Sequence, residues 1–176
     1  MDISTLLKKE ISRVFIILWP PLGEEKRINV DISIGITLSG FEGLFVITTD
    51  KGDNWTPIVI KQKIPDKYFS YDIFESRVTK WQTCEIDEII DNEYYDFTNS
   101  AEFNDIVGHK ILDIEWIMIK GKSPFGLKLY FDVEYLISTP ISDGNTIETK
   151  KFNCLNNITT YQQLGEIVFE SVQKII

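Results

Sequence analysis

Arg27-Ile28-Asn29-Val30-Asp31-Ile32-Ser33-Ile34-Gly35-Ile36-Thr37-Leu38-Ser39 alternates without a break. Ile28, Val30, Ile32, Ile34, Ile36 and Leu38 fall on one side, and Asn29, Asp31, Ser33, Gly35 and Thr37 on the other. Successive side chains of a strand point to opposite faces, so this period of two predicts a half-buried β-strand. Ser39 to Gly43 turns the chain and Leu44 to Thr49 returns it. Asp50-Lys51-Gly52-Asp53-Asn54 turns it again, into a third strand over 55–62. Pro57 has no N–H to donate, so that strand starts late or lies at a sheet edge.

The composition extends the same reading. Ile and Val together number 37, against 13 for Leu and Ala, and branching at Cβ packs well on a pleated surface. Further strands are expected over 109–119, 127–133, 135–138 and 146–152, with turns at 121–126 and 142–145. Residues 65–80 show neither clean period and read as extended. At the N-terminus Ile3, Leu6, Leu7, Ile11, Val14, Phe15 and Leu18 follow helical spacing, and Pro20-Pro21 ends the run. A closing helix is expected from Thr159 or Thr160, with Tyr161, Leu164, Ile167, Val168, Val172 and Ile175 on one face. Ser100 can cap a short helix over 101–107, stopped by Gly108.

The fold class that follows is α+β: an antiparallel β-sheet core with N-terminal and C-terminal helices, in a single domain over 1–176. Residues 28–58 match 111–141 at eight positions without a gap, among them Gly43/Gly126, Thr56/Thr139 and Pro57/Pro140. Two related β-units would explain the matches, as would chance in an Ile-rich chain.

Charge is unevenly spread. The 176 residues carry a net charge of −9, and the stretch 81–108 holds eight acids with no Lys or Arg, leaving 1–80 at zero and 109–176 at −1. This stretch reads as an acidic insert between β-units. Asp87, Glu88, Asp91, Glu93 and Asp96 would steer a basic partner, and Tyr94 and Tyr95 would anchor it. A solvated connector would carry the same composition.

Several classes are excluded. Binding to DNA or RNA needs clustered cations, and no basic stripe exists. The negative balance also argues against anionic membranes, and no span approaches the length of a membrane helix. The apolar run Val14–Trp19 is too short for a secretory leader, so the expected location is the cytoplasm, with Cys84 and Cys154 reduced. Two cysteines and one histidine cannot make a zinc site. Gly121-Lys122-Ser123 lacks the glycine that a phosphate loop needs five positions earlier, where Trp116 stands. Cys84 with His109 would be a nucleophile in acidic surroundings, which raise a thiol's pKa. No metal, cofactor or catalytic residue is therefore expected.

The pattern Gly108-His109-Lys110-Ile111-x-x-Ile114, then Leu127-x-Leu129-x-Phe131-Asp132, then Ser142-Asp143-Gly144-Asn145 resembles small β-rich bacterial proteins that include immunity proteins of polymorphic toxin systems. The resemblance covers only strands and turns of the second half, and carries no site residue over. It implies a cytoplasmic, non-catalytic protein that blocks a basic toxin through an acidic face. The expected function is thus a non-enzymatic protein-interaction module. The alternatives are a small-molecule or carbohydrate binder with a cleft lined by Trp55, Trp116 and Tyr130, or a hydrolase.

Overall fold

The computed structural model describes residues 2–19, 31–50, 55–83, 85, 91–141, 144–154 and 156–174. Within them the chain is a β-rich α+β fold of two sheets and two short helices. The first sheet is built from β1 (Ile11–Leu18), β2 (Ile32–Leu38), β3 (Leu44–Thr49), β4 (Pro57–Gln62), β5 (Phe69–Ser70) and β6 (Glu93–Asp96), in the order β4-β3-β2-β1-β6-β5. It is antiparallel except for the β5–β6 pair. The second holds β7 (Asp113–Ile119), β8 (Pro124–Tyr130), β9 (Tyr135–Ile141), β10 (Gly144–Glu148) and β11 (Ile167–Ser171), antiparallel throughout in the order β10-β9-β8-β7-β11.

β2 is buried along its whole length rather than half-buried. Its apolar side (Ile32, Ile34, Ile36, Leu38) faces the main core, together with Val14, Ile16 and Leu18 of β1 and Ile114, Leu127, Leu129, Leu136 and Ile147 of the second sheet. Its polar side lies under a second, smaller cluster of Phe15, Ile17, Leu44 and Val46, packed with Trp19, Ile64 and Tyr94. Polar atoms there are matched: Trp19 Nε1 donates to Ser33 Oγ at 2.7 Å, and Ser33 Oγ donates to Thr48 Oγ1 at 2.7 Å. A Cβ on Gly35 would sit 3.0 Å from the Leu44 side chain, which would have to shift to admit it. Residues 27–30 of the alternating stretch lie outside the described residues.

The expected N-terminal helix is replaced by one 3-10 turn, Ile3–Leu6, and then β1. The run Val14-Phe15-Ile16-Ile17-Leu18 satisfies helical spacing only because it is apolar throughout. Such a run equally suits a strand covered on both faces, and three of its five residues are β-branched. The C-terminal expectation divides in the same way, into α2 (Asn157–Tyr161), a 3-10 turn and β11. Conversely, 65–80 is not simply extended: after β5 it forms a 3-10 turn and α1 (Phe74–Gln82). Phe74, Val78 and Trp81, at i, i+4 and i+7, are the residues by which α1 packs on the core. Residues 101–107 make turns rather than a helix.

β4 begins at Pro57 and is an edge strand. The two stretches of the internal match are each a three-stranded antiparallel meander, β2–β3–β4 and β7–β8–β9. Their matched residues differ in position. Gly43 sits at φ +99° in the turn before β3, whereas Gly126 lies inside β8; Pro57 opens β4, whereas Pro140 lies inside β9.

Two devices join the sheets. The chain enters β7 through residues 108–111, which first pair with 8–11: Lys8 N donates to Ile111 O at 2.8 Å and Ile11 N to His109 O at 3.0 Å. At the other end, buried Asn145 of β10 links the layers. Its Oδ1 accepts from Thr49 Oγ1 (2.7 Å) and Ser138 Oγ (3.2 Å), and its Nδ2 donates to Ile32 O (3.1 Å). Its backbone N–H donates to Asp31 Oδ1 at 2.8 Å.

Candidate functional site

The 81–108 stretch is not a connector between β-units, because its centre is β6, an interior strand of the first sheet. Of the seven expected partner-binding residues, Asp87 and Glu88 lie outside the described residues. Asp91 is exposed. Tyr94 is half-buried against the smaller cluster, and its hydroxyl accepts from Gln62 Nε2 at 2.9 Å. Tyr95 pairs with Ile16 of β1 and is fully buried, so as the structure stands its ring is a core residue and offers no contact surface. Strand alternation turns it inward, against Phe69 and Phe74.

Glu93 and Asp96 are each neutralised from another part of the chain. Arg77 of α1 grips Glu93 with Nε at 3.0 Å from Oε2 and a second, shorter bond through its terminal nitrogen, and Tyr95 Oη donates to Glu93 at 2.5 Å. Arg13 of β1 donates to Asp96 Oδ2 at 2.6 Å, while Thr98 donates to Oδ1 from its N–H at 3.0 Å. Burial pushes the Glu93 carboxyl up, but the bonds from Arg77 and Tyr95 outweigh it and hold the group below its ordinary 4.5. Burial likewise raises Asp96, and the bonds from Thr98 and Arg13 hold it below 3.8.

A pH prediction follows from those directions. Both groups are depressed on folding, so their contribution is complete above 4.5 and 3.8 and is lost as pH falls through the lower folded values. Urea unfolding followed from pH 7 to pH 3 should show stability falling with acid. The double variant Glu93→Gln, Asp96→Asn should be less stable at pH 7 and show a flatter decline.

A cleft lies beside α1. It encloses about 600 Å³, with a floor of Phe74, Phe97, Phe152 and Val78 and a rim that includes Asp72, Glu75, Glu102 and Lys151. The floor is an edge-to-face aromatic stack. Phe97 meets Phe74 at 5.4 Å, Phe103 at 5.7 Å and Phe152 at 5.5 Å between centroids, with interplanar angles of 75–80°. Ser70 caps the turn that carries Asp72, its Oγ accepting from the Asp72 N–H at 3.4 Å and donating to Oδ2 at 2.7 Å. Lys151 Nζ is held to Asp105 Oδ2 at 2.5 Å and Asn104 Oδ1 at 3.0 Å. Its charge is thereby paired with Asp105. The cleft therefore combines an apolar aromatic base with a negative edge, an arrangement suited to a cationic amphipathic group.

None of these lining residues is among the seven expected partner-binding residues, although Phe97 belongs to the aromatics of the acidic stretch. The helical spacing of Phe74, Val78 and Trp81 was a legible signal for one wall. The opposite wall comes from β10 and the loop after it, and nothing in the sequence ties the two together. Among the described residues Trp55, Trp116 and Tyr130 line no common cleft. Trp55 lines a separate groove, Trp116 packs on the main core, and Tyr130 donates to Glu115 Oε2 at 2.5 Å. His109 is half-buried with Nδ1 3.2 Å from Val107 O, and Cys84 lies outside the described residues. Among the described residues no cluster of three or more His, Cys, Asp or Glu is arranged to hold a metal, and no helix is long and apolar enough to cross a membrane. No protein-family model, curated protein or solved structure matches this chain.

Proposed function

We propose that the protein is a non-enzymatic interaction module that receives a basic protein partner at the cleft beside α1, as an immunity protein receives its toxin. The observation that carries this reading is the aromatic floor beneath the rim acids Asp72, Glu75 and Glu102. The acids speed encounter with a positively charged surface, and the rings take up an apolar side chain once water is expelled. Asp87, Glu88 and Asp91, in the segment of the chain between α1 and β6, are carried in this reading as further steering charges. A small cationic amphiphile is the second reading, favoured by a volume inside the range of roughly 300–1,000 Å³ typical of ligand pockets.

The test places a photo-crosslinking residue at Val78, on the cleft wall, in the source cell. The expected product is an adduct with a basic protein, and the adduct disappears in the double variant Glu75→Lys, Glu102→Lys. With that partner purified, the same variant slows association by about tenfold or more at low salt, and the gap closes at high salt. Absence of any protein adduct, or equal association rates, sinks the reading. A thermal shift produced by a small aromatic amine, without an adduct, supports the second one.

A further inference from the structure

On the second sheet, next to the acidic cleft at Ile141, three separate segments converge on one groove. Trp55 comes from the loop before β4, Lys122 and Ser123 from the β7–β8 turn, and Tyr161 and Leu164 from α2 and the turn after it. The groove has two lobes, of about 350 and 370 Å³, which share Pro140, Tyr161 and Leu164. Phe125 and Tyr161 stack at 4.3 Å between centroids, and Tyr161 Oη donates to Pro140 O at 2.6 Å, so this platform is fixed. Leu164 is 69% exposed on the ridge between the lobes.

Two features of the groove are unexplained by packing. Trp55 holds φ at +49°, in the left-handed region that a bulky residue rarely enters, and it lines the second lobe. In the first lobe Asn157 carries a buried side-chain Nδ2 with no hydrogen-bond partner, a costly state for a donor. A strained aromatic thus lines one lobe, and the residue that carries the unmet donor lines the other, its Nδ2 reaching the groove on rotation of the side chain.

We infer that this groove binds a neutral oligosaccharide. Sugar rings offer apolar C–H faces to Trp55, Phe125 and Tyr161, and hydroxyls that both donate and accept. The fringe supplies matching neutral groups: Asn157, Thr160 and Gln163 around one lobe and Ser123 at the other. Two joined lobes suit successive units of a chain. Among the described lining residues Lys122 is the single charge, which disfavours nucleic acid and acidic ligands. This inference does not rest on the acidic cleft beside α1, whose lining the groove meets at Ile141.

The experiment titrates the intact protein with cellotriose, maltotriose and chitotriose, read by saturation-transfer NMR and tryptophan fluorescence, with a polyproline decapeptide as the contrasting probe. At least one trisaccharide is expected to bind with a Kd in the millimolar range or tighter. Trp55→Ala should weaken it about tenfold, the worth of one stacked ring. Asn157→Ala should weaken it as well, and circular dichroism should report both variants folded. If Trp55→Ala does not fold, Ser123→Trp, which fills the second lobe from its exposed rim, must abolish binding. The inference is overturned if none of the three sugars binds, if only the peptide binds, or if binding is indifferent to these substitutions.

Discussion

Replacing Asn145 by leucine should lower the unfolding free energy by about 3 kcal/mol or more, since each buried partner left unsatisfied costs roughly 1–3 kcal/mol. Leucine has similar volume but no polar atoms, so Thr49 Oγ1, Ser138 Oγ and the Ile32 carbonyl lose their partner together. All of this lies between the sheets, where water cannot substitute. In a domain of this size the loss corresponds to a fall in Tm of roughly 6–12 °C. Urea unfolding and a thermal scan check it. An unchanged midpoint would show that the amide does not couple the layers.

Truncation of Phe97 is the second large effect. Phe97 is 4% exposed and touches the rings of Tyr71, Phe74, Phe103 and Phe152. Phe97→Ala should cost about 3–5 kcal/mol, because the surrounding rings cannot all collapse into the space left behind. The same change deepens the cleft and leaves its acidic rim intact. Partner dissociation should therefore accelerate while salt-dependent association stays near wild type, a separation that stopped-flow binding resolves. Phe97→Leu, which keeps most of the volume, should lose much less of both. Equal losses for alanine and leucine would mean that the ring stack is not what holds the floor.

The parts of the fold legible in the sequence were those specified locally. The alternation in 32–38, the glycines at 40 and 43 and the apolar run 44–49 commit neighbouring residues to a hairpin, and β2–β3 is formed as expected. Misreadings arose where two periods fit the same letters. The unbroken apolar run of β1 also satisfied helical spacing, and only its position between β2 and β6 decides for a strand. In α1 the signal was present in Phe74, Val78 and Trp81 but was masked by Tyr68, Phe69 and Tyr71 just before it. The acidic stretch shows a deeper limit. Counting charge along the chain cannot register Arg13, 83 positions from Asp96, or Arg77, 16 positions from Glu93. The cleft was illegible for the same reason, since its walls meet only in three dimensions.

The pairing of β1 with β6 and of residues 8–11 with 108–111 has a consequence for synthesis. Ile16 emerges from the ribosome 79 residues ahead of its partner Tyr95, a wait of roughly 4–16 s at ordinary elongation rates of 5–20 residues per second. Throughout that interval one flank of a very greasy nascent strand has no neighbour. Overproduced chains would then meet one another before their own later half arrives, so slow translation, low temperature and holdase chaperones should favour soluble yield.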